Sequence, residues 1–167
     1  MRTLYLCRHA KSSWADPGQD DFDRPLNERG ERDAPIMAQR TKQYGAPVDL
    51  IVTSHANRAL STARAFASEL GLSGDAFKQD VRLYHASPQT IAKVVSELPD
   101  SARRVMLFGH NPGFSEAVDY FCGDGVGDMP TCGIVRIDMV ANEWKETGRD
   151  LGTLVWFDYP KRSEDNG

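Results

Sequence analysis

The chain is poor in cysteine: Cys7, Cys122 and Cys132 are an odd number without close spacing. That excludes a disulfide framework and a cysteine-rich zinc site and fits reduced thiols, with a Cys122 to Cys132 bridge the one pairing left open. Positive charge is not in excess either. Twenty Lys and Arg against 24 Asp and Glu give a net charge of -4, and the signs are interspersed. Such a chain presents no basic face to nucleic acid, although local arginine clusters still suit a small anion or a phosphorylated partner. Long apolar runs are missing too. No stretch approaches a bilayer span, and the chain turns polar just after Cys7, too early for the core of a signal peptide. The expected protein is cytoplasmic, with no membrane and no nucleic-acid partner, and nothing specifies its oligomeric state. Histidine is also scarce, with only His9, His55, His85 and His110.

What is present is enough for one core. At 167 residues with 40% apolar content, a single domain over residues 1–160 is expected, followed by a polar tail at 161–167 that frays. Apolar, β-rich runs occur at 3–7, 48–52, 105–108, 134–140 and 154–157, with helical patterns between most of the earlier ones. One helix begins near Asn27 and keeps helical character to Tyr44, with Pro35 predicting a kink or a restart near Asp33. A second carries Ala59, Leu60, Ala63, Phe66, Ala67 and Leu70 in a stripe at helical spacing, with Asn57 as expected N-cap and Gly71 at its end. A third starts at Ser87-Pro88, and a fourth follows Asn111-Pro112. The last two strands lack a helix between them, so at least one edge of the sheet is antiparallel. The fold class is α/β, a three-layer sandwich around a mixed, mostly parallel sheet. Two long irregular segments remain, an Asp-rich one at 15–26 and a Gly-rich one at 123–133.

Chemistry gathers where strands end. The first strand delivers Arg8-His9, the second Ser54-His55-Ala56-Asn57-Arg58, and a third strand end Gly109-His110-Asn111-Pro112. In an open α/β sheet, ligands bind outside the carboxyl ends of the strands. A neutral imidazole is a competent nucleophile, and an adjacent guanidinium both holds an anion and disfavours protonation of the ring. Arg58 falls in the first turn of its helix, where a cation opposes the helix dipole by ~0.3–1 kcal/mol, so an anion should lie close by. His110 stands just before a helix start, where backbone N–H groups favour phosphate. If the strands are parallel, Arg8, Arg58 and His110 surround an oxyanion that His9 attacks. Ser12, Asn111 and His55 are candidate substrate contacts, although His55 more readily satisfies a loop carbonyl. His85 precedes another helix cap and could reach the same edge. Asp20, Asp21 and Asp23 form a run of the kind usually solvated, and Arg24-Pro25-Leu26 after them could fold back as part of a lid.

These residues, with Ala10-Lys11-Ser12-Ser13-Trp14, Arg24-Pro25-Leu26 through Gly30, Thr53 to Ala59 with Thr62-Ala63, and Gly109 to Gly113, resemble the histidine phosphatase superfamily. Within that phosphoglycerate-mutase-like fold they resemble the small SixA-like phosphohistidine phosphatases, over nearly the whole chain. The resemblance implies a minimal fold without a large lid insertion, with His9 as the phosphorylated nucleophile and Arg8, Arg58 and His110 binding phosphoryl oxygens. It implies a hydrolase with no cofactor and no metal, acting on phosphohistidine in a protein or on a small phosphorylated metabolite. A phosphoprotein-binding module without turnover is the competing class. Two departures stand out. Ala10 replaces the glycine of the usual Arg-His-Gly signature and Ala15 stands where mutase-branch relatives carry a phosphate-binding Asn, which argues against a mutase. No Asp or Glu occurs from Val81 through Ser96, so the general acid of larger relatives has no counterpart there. An imidazole leaving group is less demanding than an alkoxide, so this absence favours a P–N substrate.

Overall fold

A computed structural model describes residues 1–45 and 47–162; the tail residues 163–167 lie outside the described residues. Six strands form one sheet: β1 (Arg2–Arg8), β2 (Leu50–Thr53), β3 (Phe77–Gln79), β4 (Arg104–Gly109), β5 (Ile134–Met139) and β6 (Gly152–Asp158), in the order β3-β2-β4-β1-β5-β6. The first four strands pair in parallel, whereas β5 runs antiparallel to β1 and β6 antiparallel to β5. The mixed sheet expected from the sequence is therefore present, with its antiparallel part at one edge.

Helices α1 (Glu28–Gln43), α2 (Asn57–Leu70), α3 (Pro88–Ser96) and α4 (Gly113–Cys122) cover the two faces. Period-2 alternation along β1 sends Leu4 and Leu6 into a core shared with α3 and α4, while Tyr5 and Cys7 enter a second core with α1 and α2. Strands buried on both faces read as continuous apolar runs, which is why β1 and β4 are so visible in the sequence. No inserted domain interrupts the path from α2 through β3 to α3.

Three local expectations need correction. Helix α1 runs unbroken through Pro35, because the proline lies on the exposed face, where the carbonyl deprived of its partner can meet water. Asn57 is the first residue of α2 and Ala56 its N-cap. The Asn57 side chain instead donates to the Asp23 carbonyl at 3.1 Å and accepts from Ser61 Oγ at 3.1 Å. Strand β3, only Phe-Lys-Gln, was not foreseen, since three half-exposed residues carry almost no period-2 signal. Other caps are as read: Asn27 accepts from Gly30 N, Ser87 accepts from Thr90 N, and Gly71 closes α2 in the left-handed region. All three cysteines are free.

Two glycines bring the loops of the carboxyl edge into place. A Cβ on Gly30 would lie 2.1 Å from the Lys11 carbonyl oxygen, and one on Gly113 would lie 1.9 Å from that of Ala86. Gly30 thus seats the first turn of α1 against the segment after β1. Gly113 seats α4 against the segment 84–87, bringing it over the end of β4.

Candidate active site

Parallel pairing puts Arg8 opposite Gly109 and Thr53 opposite Phe108, so the residues just beyond β1, β2 and β4 share one edge. His9 and His110 face each other there with ring centroids 5.3 Å apart. Backbone bonds fix the His9 segment from both sides: His9 N donates to Gly109 O at 3.0 Å and Cys132 N donates to His9 O at 2.9 Å.

The His9 ring is held in one tautomer. Nδ1 lies 2.7 Å from the carbonyl oxygen of Ala10, which makes Nδ1 the protonated nitrogen and leaves the Nε2 lone pair free. Burial lowers the His9 pKa to about 3; the hydrogen bond to the Ala10 carbonyl opposes this, and the positive charges of Arg58, Arg8 and Arg24 add to it. At neutral pH the ring is therefore an unprotonated base. Arg58 Nε donates to His9 Nε2 at 3.4 Å, a long, weak bond that an incoming phosphoryl group can displace from the lone pair.

The other residues expected at this edge stand close to the His9 ring. Arg8 donates from Nη1 to the Met129 carbonyl at 2.9 Å, while its Nε is buried with no hydrogen-bond partner. His110 Nε2 lies 2.8 Å from Ser54 Oγ, and His110 Nδ1 is likewise buried and unpartnered. Burial, His9 and Arg58 lower the His110 pKa to about 2. Buried polar atoms without partners cost roughly 1–3 kcal/mol each, so these two make the cluster receptive to the oxygens of an anion.

Arg58 is buried, not solvated, and the anion anticipated from its position is Asp21. Arg58 Nη1 donates to the Asp21 carbonyl at 2.6 Å and Nη2 to Asp21 Oδ2 at 2.9 Å. The same Oδ2 accepts from Tyr84 OH at 2.7 Å and lies 3.1 Å from His85 Nε2. Partial burial alone would raise the Asp21 pKa, but hydrogen bonds from Tyr84, Arg58 and Arg24 bring it well below the ordinary carboxylate range. Asp21 thus belongs to the site, contrary to the reading of the acidic run as merely solvated.

Residues 15–26 fold back as anticipated. Ser12 bridges to Leu26, Ser13 N donates to Pro25 O at 2.8 Å, and Asn27 N donates to Lys11 O at 3.0 Å, pinching the base of the loop. Arg24 holds it from inside, donating to Ser12 Oγ, to Ser13 O at 3.1 Å and to Asp21 Oδ1 at 3.0 Å. Thr62 ties the base to α2 by accepting from Ala10 N at 2.9 Å and donating to Arg58 O at 2.8 Å.

The three weaker candidates sit differently. Ser12 is buried against Arg24. Asn111 donates to the Met129 carbonyl at 3.0 Å and accepts from Ser115 Oγ at 2.7 Å, joining α4 to the 123–133 loop. His55 packs edge-on to Phe22 at 4.6 Å and to Tyr84 at 6.0 Å, and its Nδ1 is buried without a partner, so the expected bond to a loop carbonyl is not made there. None of the three is hydrogen-bonded to or stacked on the His9 ring; they frame the site from around it. Asp21, Ser54 and Tyr84 are additions that the sequence reading missed.

Comparisons with known proteins agree with this geometry. The profile described as "Histidine phosphatase superfamily (branch 1)" matches residues 4–83. A solved protein of Agrobacterium tumefaciens, named as a phosphohistidine phosphatase SixA, superposes with a TM-score of 0.79 at 29% identity, covering 95% of this chain and 98% of that one. The chain is thus similar to the histidine phosphatase superfamily over just under half of its length, and to a SixA-named protein over nearly all of it. Its fold is the superfamily's phosphoglycerate-mutase-like one in compact form, and its structural neighbours include SixA phosphohistidine phosphatases. A SixA solved with tungstate gives a TM-score of 0.81 at 19% identity over 95% of this chain and 97% of that one, a likeness of fold. An uncharacterised protein of Mycobacterium tuberculosis strain H37Rv is 29% identical over 92% of this chain and 99% of its own length. Among the described residues no helix is long and apolar enough to cross a membrane.

Proposed function

We propose that this histidine phosphatase works in two steps through a phosphoryl group carried on His9, and that its substrate is phosphohistidine in a cytoplasmic protein. The observation that carries the reading is the His9 Nε2 lone pair, fixed by the Ala10 carbonyl and ringed by Arg8, Arg58 and His110. Nε2 attacks phosphorus and the bond from phosphorus to the substrate nitrogen breaks. Water then attacks phosphorus, the bond to Nε2 breaks, and inorganic phosphate leaves. Arg8 Nε and His110 Nδ1 gain oxygen partners as charge builds on the transferring group. A Ser54 hydroxyl donating to His110 Nε2 places the ring proton on Nδ1 for that purpose. Donors of this kind, set in place before the reaction, are usually the largest contribution to catalysis of group transfer.

The 29% identity with the Agrobacterium SixA over almost the full length supports the phosphohistidine assignment. So does the lack of an inserted domain over the site, which leaves room for a side chain presented by another protein. The deciding experiment compares rates on a phosphohistidine protein and on a panel of phosphate monoesters, with His9→Ala as control. A clear preference for phosphohistidine is expected, and a preference for one small monoester overturns the substrate assignment.

One observation favours the second reading, a small phosphorylated metabolite. Beside the site lies a cavity of about 410 Å³ lined by Arg8, Lys11, Arg29 and Lys161, together with Tyr159 and Thr131 and no acidic residue. Three further cations sharing a groove with Arg8 suit a substrate with a second anionic group. The monoester panel therefore includes compounds with and without one.

A further inference from the structure

The cluster at the rim of the site has chemistry that the two-step reaction leaves unused. We propose that His85, oriented by Asp21, is the proton-exchanging residue of the reaction: it protonates the departing group in the first step and deprotonates water in the second. This rests on the reading of His9 as the nucleophile.

Asp21 from the 15–26 loop, Arg58 from α2 and His110 from the end of β4 converge on the Tyr84-His85 pair. His85 Nε2 lies 3.1 Å from Asp21 Oδ2, an oxygen that also accepts from Tyr84 OH and from Arg58 Nη2. Its ring stands 4.1 Å from that of Tyr84 and 5.4 Å from that of His110, which itself is 5.3 Å from His9. His9, His110 and His85 thus form a row from the buried floor to the half-exposed mouth. The backbone adds a second sign of purpose. His85 has φ +52°, a left-handed conformation uncommon for a residue with a side chain and kept only where the surroundings impose it. Here the Ser87-Pro88 start of α3 follows at once, and Gly113 packs on Ala86.

The alternatives at the site are less suited. His9 and His110 are buried rings whose proton affinity is far too low at neutral pH, and Asp21 is held as a carboxylate by its three donors. Imidazole is the side chain that ordinarily exchanges a proton near pH 7. With Nε2–H given to Asp21, Nδ1 of His85 is the nitrogen that exchanges. In the first step the His9 Nε2–P bond forms, the bond from phosphorus to the departing atom breaks, and that atom takes the Nδ1 proton. In the second, water loses a proton to Nδ1 as its oxygen bonds to phosphorus and the Nε2–P bond breaks. The proton count closes over one turnover. The charged and titratable groups facing His85 are Asp21 from the 15–26 loop, Arg58 from α2 through Asp21, its neighbour Tyr84, and His110 beyond β4.

The test follows formation of phospho-His9 in a single turnover, using p-nitrophenyl phosphate, whose leaving group needs no proton, and phenyl phosphate, whose leaving group does. The full chain is compared with His85→Ala and with His85→Asn, the latter retaining a residue that tolerates positive φ. Both variants are expected to slow phenyl phosphate by about 10²-fold, the low end of the range for general acid catalysis, and p-nitrophenyl phosphate by less than about threefold. Equal slowing on both substrates, or on neither, overturns the role of His85 while leaving His9 in place. Absence of phospho-His9 in the unaltered chain overturns both readings. Steady-state rates should also lose one limb of their pH profile in His85→Asn, a change that a purely structural role does not produce.

Discussion

The floor and the rim of this site are built in different ways. On the floor, His9 and His110 sit one residue beyond neighbouring parallel strands, and Arg58 sits in the first turn of the helix after a third. Their positions follow from the sheet, and backbone bonds such as His9 N to Gly109 O repeat its ladder. On the rim, Asp21 and the adjacent pair Tyr84-His85 come from separate loops and reach each other only through side chains. The floor is buried and its imidazoles are held uncharged; the rim is half-exposed and keeps a carboxylate charged. In the proposed reaction one region holds and attacks the phosphoryl group, and the other orients and exchanges protons.

If that division is right, substitutions on the floor should cost far more than substitutions on the rim. His9→Ala should remove the covalent route altogether, a loss of at least about 10³-fold in kcat, since oxyanion stabilisation and binding alone remain. Near-normal turnover by purified His9→Ala, read as released phosphate, would undo the assignment. Arg58→Ala should lower kcat by about 10²–10³-fold, the usual cost of losing one donor to the developing charge. A change confined to KM would show that Arg58 only binds substrate. On the rim, Asp21→Asn keeps the shape but not the charge and should cost about 10- to 100-fold, as when a group that orients a functional side chain is removed. Recovery in Asp21→Glu would tie the loss to the carboxylate.

The smallest effect concerns stability. His9 and His110 are held at about 3 and about 2, below the ordinary histidine value of ~6.5. The unfolded chain therefore binds more protons than the folded one below pH ~6.5. Stability is full above that value and falls as the pH drops towards the folded values, by up to about 1.4 kcal/mol per pH unit for each ring. Urea midpoints at pH 7.5 and pH 5 should show the drop, and it should be smaller in His9→Ala. An equal drop in both chains would mean that His9 is not buried uncharged.

The same division explains what could be read from sequence. Arg8, His9, Arg58 and His110 were legible because each abuts an apolar strand run or a helix start, and the parallel pairing that joins them follows from the alternation of elements. The need for an anion near Arg58 was legible as well, from the helix dipole. Its identity was not. Asp21 meets Arg58, Tyr84 and His85 across 37, 63 and 64 residues, and an Asp-rich stretch of loop looks the same whether it faces water or an arginine. Strand β3 escaped notice through shortness, and the unbroken α1 because exposure of Pro35, not its presence, decides whether the helix survives. Asn57 was misplaced as a cap because its side chain is spent on the loop carrying Asp21.

The central claim is that His9 attacks through Nε2. The most direct measurement is to quench the reaction with a phosphorylated donor and locate the phosphoryl group on the protein, by fragmentation to the residue and by phosphorus NMR to the nitrogen. Phosphate on Nε2 of His9, and none in His9→Ala, is the predicted result. Phosphate on Nδ1, on another residue, or on none would contradict it.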